Sequence, residues 1–123
     1  MRATDLGVTL DGSDQTENIK RAFTRLPAGE LLEFGEGQVI IKGEVAIPAH
    51  ARGIISRGTT FKIDANETRS GFLWRNADGM IRGGRFVVEG GYEHHESIIH
   101  CLDPVNLDIQ GLRFLGDGED SRI

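Results

Sequence analysis

Cysteine is nearly absent: Cys101 stands alone in 123 residues, so no disulfide can form within the chain. A thiol between Ile99 and Leu102, with no base visibly paired to it, reads as a small buried hydrophobe rather than a nucleophile. Proline is equally sparse, with three residues, and aromatics make up only 7%. No apolar run approaches the ~18 residues of a membrane-spanning helix, and the amino terminus lacks the apolar region of a signal peptide. These absences lead to the expectation of no membrane partner.

An excess of positive charge is missing too, since the net charge is −5. Its distribution is uneven. Residues 52–85 carry seven basic and three acidic groups, whereas residues 86–123 carry two basic and eight acidic. An acidic protein with a positive middle is a poor candidate for nucleic acid, yet it can hold a local anion such as a uronate or sulfate.

Glycine, by contrast, is abundant, with 17 residues spread along the chain. Scattered glycine without proline is neither collagen nor linker; it marks many tight turns. Asp11-Gly12-Ser13-Asp14 reads as the first of these turns. It leads into a helix with Asp14 and Glu17 as a capping box and Ile19, Ala22, Phe23 and Leu26 on one apolar face. Pro27 ends it.

Beyond Pro27 the chain reads as short strands divided by glycines, beginning with Leu31–Phe34, Gln38–Ile41 and Glu44–Ile47. The segments repeat. Ile81-Arg82-Gly83-Gly84-Arg85-Phe86 recurs as Ile109-Gln110-Gly111-Leu112-Arg113-Phe114, and a looser copy runs from Ile55 to Phe61. The phenylalanines are 25 and 28 residues apart. A period of that length without intervening helices marks a solenoid. Phe61, Phe86 and Phe114 should form an internal column, with the glycine three residues before each at a corner.

The fold class expected is therefore an all-β solenoid, a right-handed parallel β-helix of about four coils with one N-terminal capping helix. The chain forms one domain, residues 1–123: a turn and capping helix over 1–30, and coils over 31–123 with the last incomplete.

Residues 4–47 resemble the opening of the pectate-lyase-like superfamily, the parallel β-helices of polysaccharide lyases, polygalacturonases and bacteriophage tailspikes. Those proteins commonly begin Gly-Asp-Gly-x-x-Asp-Asp-Thr, then an amphipathic helix, then an aliphatic-Pro-x-Gly-x-Tyr segment. The matching residues are Asp11 to Thr16, the helix through Leu26, and Leu31 to Ile40. Gln15 replaces the second acidic residue, and Phe34 stands where proline is usual. The resemblance implies a virion or extracellular protein that binds or degrades polysaccharide, this chain being a fragment or short form of one, self-associating as a homotrimer or with a further chain capping the open last coil. Ca2+ enters by the resemblance only. A non-catalytic trimerisation or adsorption module is the alternative, and a small metal-binding domain a distant one.

If the chain is catalytic, the chemistry implied is that of a lyase or glycoside hydrolase, although no complete active site is visible. The best carboxylate cluster is Asp117, Glu119 and Asp120, since hydrolases need clustered carboxylates; the simpler reading is a solvated acidic turn. Asp78 and Asp103, before Gly79 and Pro104, read as turn formers. Glu93, His94 and His95 are metal-capable, but adjacent histidines on an extended chain point opposite ways. Arg85 and Arg113 occupy the same place in successive repeats and should stack on one outward face, where they could hold saccharide carboxylates or pair with Glu89. Trp74 is a sugar-stacking platform if Leu73 points inward, and core if Phe72 and Trp74 do.

Overall fold

The computed structural model describes residues 1–68, 70–74, 78–90, 97–101 and 106–116. A short 3-10 helix, Ala3–Leu6, is followed by strand β1 (Asp11–Asp14) and helix α1 (Thr16–Arg25). Three coils of three strands each come next. They are β2 (Leu31–Phe34), β3 (Gly37–Ile41) and β4 (Val45–Ile47); β5 (Gly53–Ser56), β6 (Thr59–Asp64) and β7 (Ser70–Trp74); and β8 (Gly79–Arg82), β9 (Arg85–Glu89) and β10 (Ser97–Cys101). Strands β11 (Leu107–Gln110) and β12 (Arg113–Gly116) open a fourth.

Equivalent strands stack into three sheets. The first is β2-β5-β8-β11, the second β1-β3-β6-β9-β12, and the third β4-β7-β10. Every pairing is parallel. The chain is thus a parallel β-helix of about three turns, as the repeats require.

No coil can bury its inward side chains alone, so like residues stack on like. Leu32, Ile54, Ile81 and Ile109 form one inner column, and Val39, Phe61, Phe86 and Phe114 another. Phe61 and Phe86 are fully buried, while Phe114, in the last described coil, is 38% exposed. The corner glycines fall where the repeats place them: Gly58, Gly83 and Gly111 all take positive φ, at 82°, 69° and 72°. A side chain would strain each of these bends.

Gly53 has a different reason to be glycine. A β-carbon there would lie 1.9 Å from the Met80 carbonyl oxygen, so only a bare α-carbon lets β5 and β8 approach.

Helix α1 buries Ile19, Ala22, Phe23 and Leu26, the face its spacing predicts. It stops where Leu26 turns extended before Pro27. Two local expectations are corrected. Asp11–Asp14 is a strand paired with β3, not only a turn, because its backbone reaches the open edge of the second sheet. The reciprocal Asp14–Glu17 box does not form either. With Asp14 held in that strand, its carboxylate accepts from the Thr16 N–H (3.0 Å) and hydroxyl (2.7 Å), while Glu17 pairs with Lys20.

Gln15, at the position where the resemblance calls for an acid, ties this region together. Its amide oxygen accepts from the Thr9 N–H and the Asn18 amide, and its nitrogen donates to the Ser13 hydroxyl. Among the described residues no helix is long and apolar enough to cross a membrane.

Candidate functional site

The outward side chains of the second sheet are fixed by the inner column. Since Phe61, Ile63, Phe86 and Val88 point inward, their neighbours along each strand point out. Register then sorts the outer face into rows. One row runs Asp11, Gln38, Thr60, Arg85, Arg113 across the five strands. The next runs Ile40, Lys62, Val87, Leu115, and beyond it Asp64 faces Glu89.

Arg85 and Arg113 stack on one exposed face, as the repeats place them. Successive strands lie about 4.8 Å apart, so the guanidinium groups start from backbones one strand spacing apart. Neither arginine has an ion-pair partner among the described residues. Glu89, the partner the sequence offers them, lies instead 3.9 Å from Lys62.

At the other end of β6 and β9 a groove of about 470 Å³ opens, lined by Ile40, Lys42, Lys62, Asp64 and Glu89 among others. Asp64 and Glu89 are adjacent carboxylates, yet each is answered locally. Asp64 accepts from the Asn66 N–H at 3.0 Å, and Glu89 has the Lys62 ammonium. A hard cation such as Ca2+ asks for about six to eight oxygens and no ammonium in the shell, which this groove does not supply. No group of three or more His, Cys, Asp or Glu side chains is placed to share a metal ion among the described residues.

The shifted titrating groups lie on either side of the arginine row. At its start, the Ser13 hydroxyl and N–H hold the Asp11 carboxyl below its usual range. On the first sheet, a 2.9 Å hydrogen bond from Arg82 does the same to Asp108, and Arg82 is raised in return. That bond links β8 to β11 across one coil step.

Other sequence-derived candidates fare differently. Trp74 is fully buried, in register with Ile47 and Cys101 on the inner side of the third sheet, so it offers no stacking platform to a sugar. Its indole N–H has no hydrogen-bond partner among the described residues. The expectation that Cys101 is buried is also corrected. It does share a register position with buried Trp74, but it belongs to the outermost described strand of its sheet and is exposed. The Asp78 carboxylate accepts from the Asn106 N–H of the next coil at 3.0 Å, so it links two coils. Glu93, His94, His95, Asp103, Asp117, Glu119 and Asp120 lie outside the described residues.

Sequence reasoning missed Thr60 and Lys62. The signal was present, because Thr60 precedes Phe61 as Arg85 precedes Phe86. No family model, no curated protein and no solved structure matches this chain.

Proposed function

We propose that this chain is a carbohydrate-associated β-helix module of the pectate-lyase-like kind, whose second sheet binds an acidic polysaccharide on its outer face. The observation that carries the reading is the register of Arg85 and Arg113 without carboxylate partners among the described residues. Like charges directly opposite on neighbouring strands destabilise a sheet. A polymer bearing one carboxylate or sulfate per unit relieves that repulsion and gains charge-assisted, forked hydrogen bonds in exchange.

Catalysis is the further step that the resemblance implies. The experiment is to titrate the chain with polygalacturonate, a sulfated glycan and neutral dextran, following binding, reducing ends and the ultraviolet absorbance of unsaturated uronates. Salt-sensitive binding of the acidic glycans, absent for dextran, is expected. Equal binding of dextran, or no binding of any acidic glycan, would remove the proposal.

A second reading is favoured by the last described coil, where inward-column residues Ile109 and Phe114 are 45% and 38% exposed. Exposed apolar ends of this kind invite association. In this reading the module is structural, with self-association, a homotrimer first, as its role. Light scattering that shows a monomer at micromolar concentration would count against it.

A further inference from the structure

The connection from the first sheet to the second changes length along the solenoid. In the first two coils the inward residues on either side of it, Leu32 and Val39, then Ile54 and Phe61, are seven positions apart. In the next two, Ile81 and Phe86, then Ile109 and Phe114, are five apart. A wide corner containing Arg57 and Gly58 thus sits beside a tight one made by Gly83 and Gly84, whose φ values of 69° and 104° compress the bend. The step between them is a notch of about 290 Å³ lined by Gly58, Thr59, Thr60, Gly84 and Arg85.

Among the described residues, one cation and no carboxylate line that notch. The Thr60 and Arg85 side chains, register partners across β6 and β9, have no hydrogen-bond or ion-pair partner among the described residues. The row through them grades in charge from one end to the other: Asp11 is acidic, Gln38 and Thr60 neutral, Arg85 and Arg113 basic. Behind the notch, Gly58 packs against the backbone and side-chain stem of Glu36, 3.5 Å from where a β-carbon would stand. An anionic polymer laid along the arginines meets neutral residues and then negative charge when it passes the step.

We infer that the notch receives the terminal anionic unit of the polymer, so that this face recognises a chain end rather than an internal stretch. The inference rests on the polysaccharide reading above. The terminal carboxylate accepts two parallel hydrogen bonds from the Arg85 guanidinium and one from the Thr60 hydroxyl, and the following unit lies over Arg113. The same contacts suit a terminal sulfate.

The test compares galacturonate monomer, trimer and a polymer of roughly thirty units by calorimetry and amide chemical shifts, with glucose and inorganic sulfate as controls. Recognition of an end gives trimer and polymer equal affinity per mole of chain. An affinity that rises in proportion to chain length overturns it. Thr60→Val and Arg85→Lys, which keep the strand shape, should each weaken the monomer about tenfold, the worth of one charge-assisted hydrogen bond. Arg113→Thr should spare the monomer and weaken the trimer. Loss of monomer binding in Arg113→Thr as large as in Arg85→Lys defeats the notch. If the polymer binds and the monomer leaves the Thr60 and Arg85 amides unmoved, the notch fails while the wider reading stands. If the monomer binds there and longer chains gain nothing through Arg113, the wider reading fails instead.

Discussion

Phe61 and Phe86 lie ring over ring in consecutive coils, with centroids 4.8 Å apart and planes 12° from parallel. Phe114 continues the stack at 5.7 Å, and Phe34 and Phe72 meet Phe61 edge-on at 5.0 and 5.8 Å. Stacked and edge-on contacts of this kind each contribute about 0.5–1.5 kcal/mol beyond the area buried. The centre of the solenoid is therefore aromatic, and its stability should depend on depth along the column.

Phe86→Ala should cost about 3–5 kcal/mol, since it removes a fully buried ring with neighbours on both sides. Phe114→Ala, in the last described coil, should cost less than half of that. Urea unfolding of the two variants checks the order, and equal losses would refute it.

Gly53→Ala should be far more damaging than its size suggests. The added methyl would meet the Met80 carbonyl at 1.9 Å, so β5 and β8 must separate. Gly29→Ala, at φ 82° with nothing near the missing β-carbon, should cost only the backbone strain, about 1 kcal/mol. Thermal unfolding compares them, and equal effects would show that β5 and β8 can part cheaply.

The Ser56 hydroxyl is buried inside the corner with no hydrogen-bond partner among the described residues. An unsatisfied buried hydroxyl costs roughly 1–3 kcal/mol. Ser56→Ala should thus leave stability unchanged or raise it by about 1 kcal/mol. A clear loss in denaturant midpoint would mean that the hydroxyl is satisfied in solution.

Acid should loosen the fourth coil first. Asp108 titrates below its usual range because Arg82 donates to it, so the link between β8 and β11 is present above the unfolded carboxylate value. It is lost as pH falls through the lower, folded value. Amide exchange in β11 of the wild type should accelerate relative to β8 as pH falls below the ordinary carboxylate range. In Asp108→Asn the faster exchange should already be present at pH 7. Asp108 is exposed and Arg82 partly so, so 1 M salt should shrink the difference.

Arg113→Thr should stabilise the free protein by a few tenths of a kcal/mol, because it removes a like-charge cross-strand neighbour of Arg85. The same change should weaken binding of acidic glycan. Improved stability together with lost affinity is the signature of a residue kept for a ligand, and a loss of both would mark Arg113 as structural.

The coils were legible because stacking demands repetition, and Ile-x-Gly-x-Arg-Phe wrote it plainly at residues 81–86 and 109–114. The first coil was harder to align. Val39, not phenylalanine, fills the column there, and it lies 22 residues before Phe61. Strand β1 was hidden because Asp-Gly-Ser-Asp has the composition of a turn; its pairing is earned by backbone groups that any sequence carries. Trp74 and Cys101 illustrate a different limit. Alternation left two inward sets open for the third sheet, and a column position does not reveal whether another coil lies above it. The arginine row was read correctly as a stack, whereas the notch depends on corner lengths that only a register can compare.

The perimeter of each coil grows along the chain, from 22 to 25 to 28 residues between successive members of the inner column, while the corner before that column tightens. Nearly all the extra length enters between the second and third sheets. Inward residues there are four positions apart in the first coil (Ile41 and Val45) and nine in the second (Ile63 and Phe72). That side works as an expansion joint. Foreign segments grafted into it should leave the aromatic stack in step, so a scaffold of this design can change what it displays without changing how it folds.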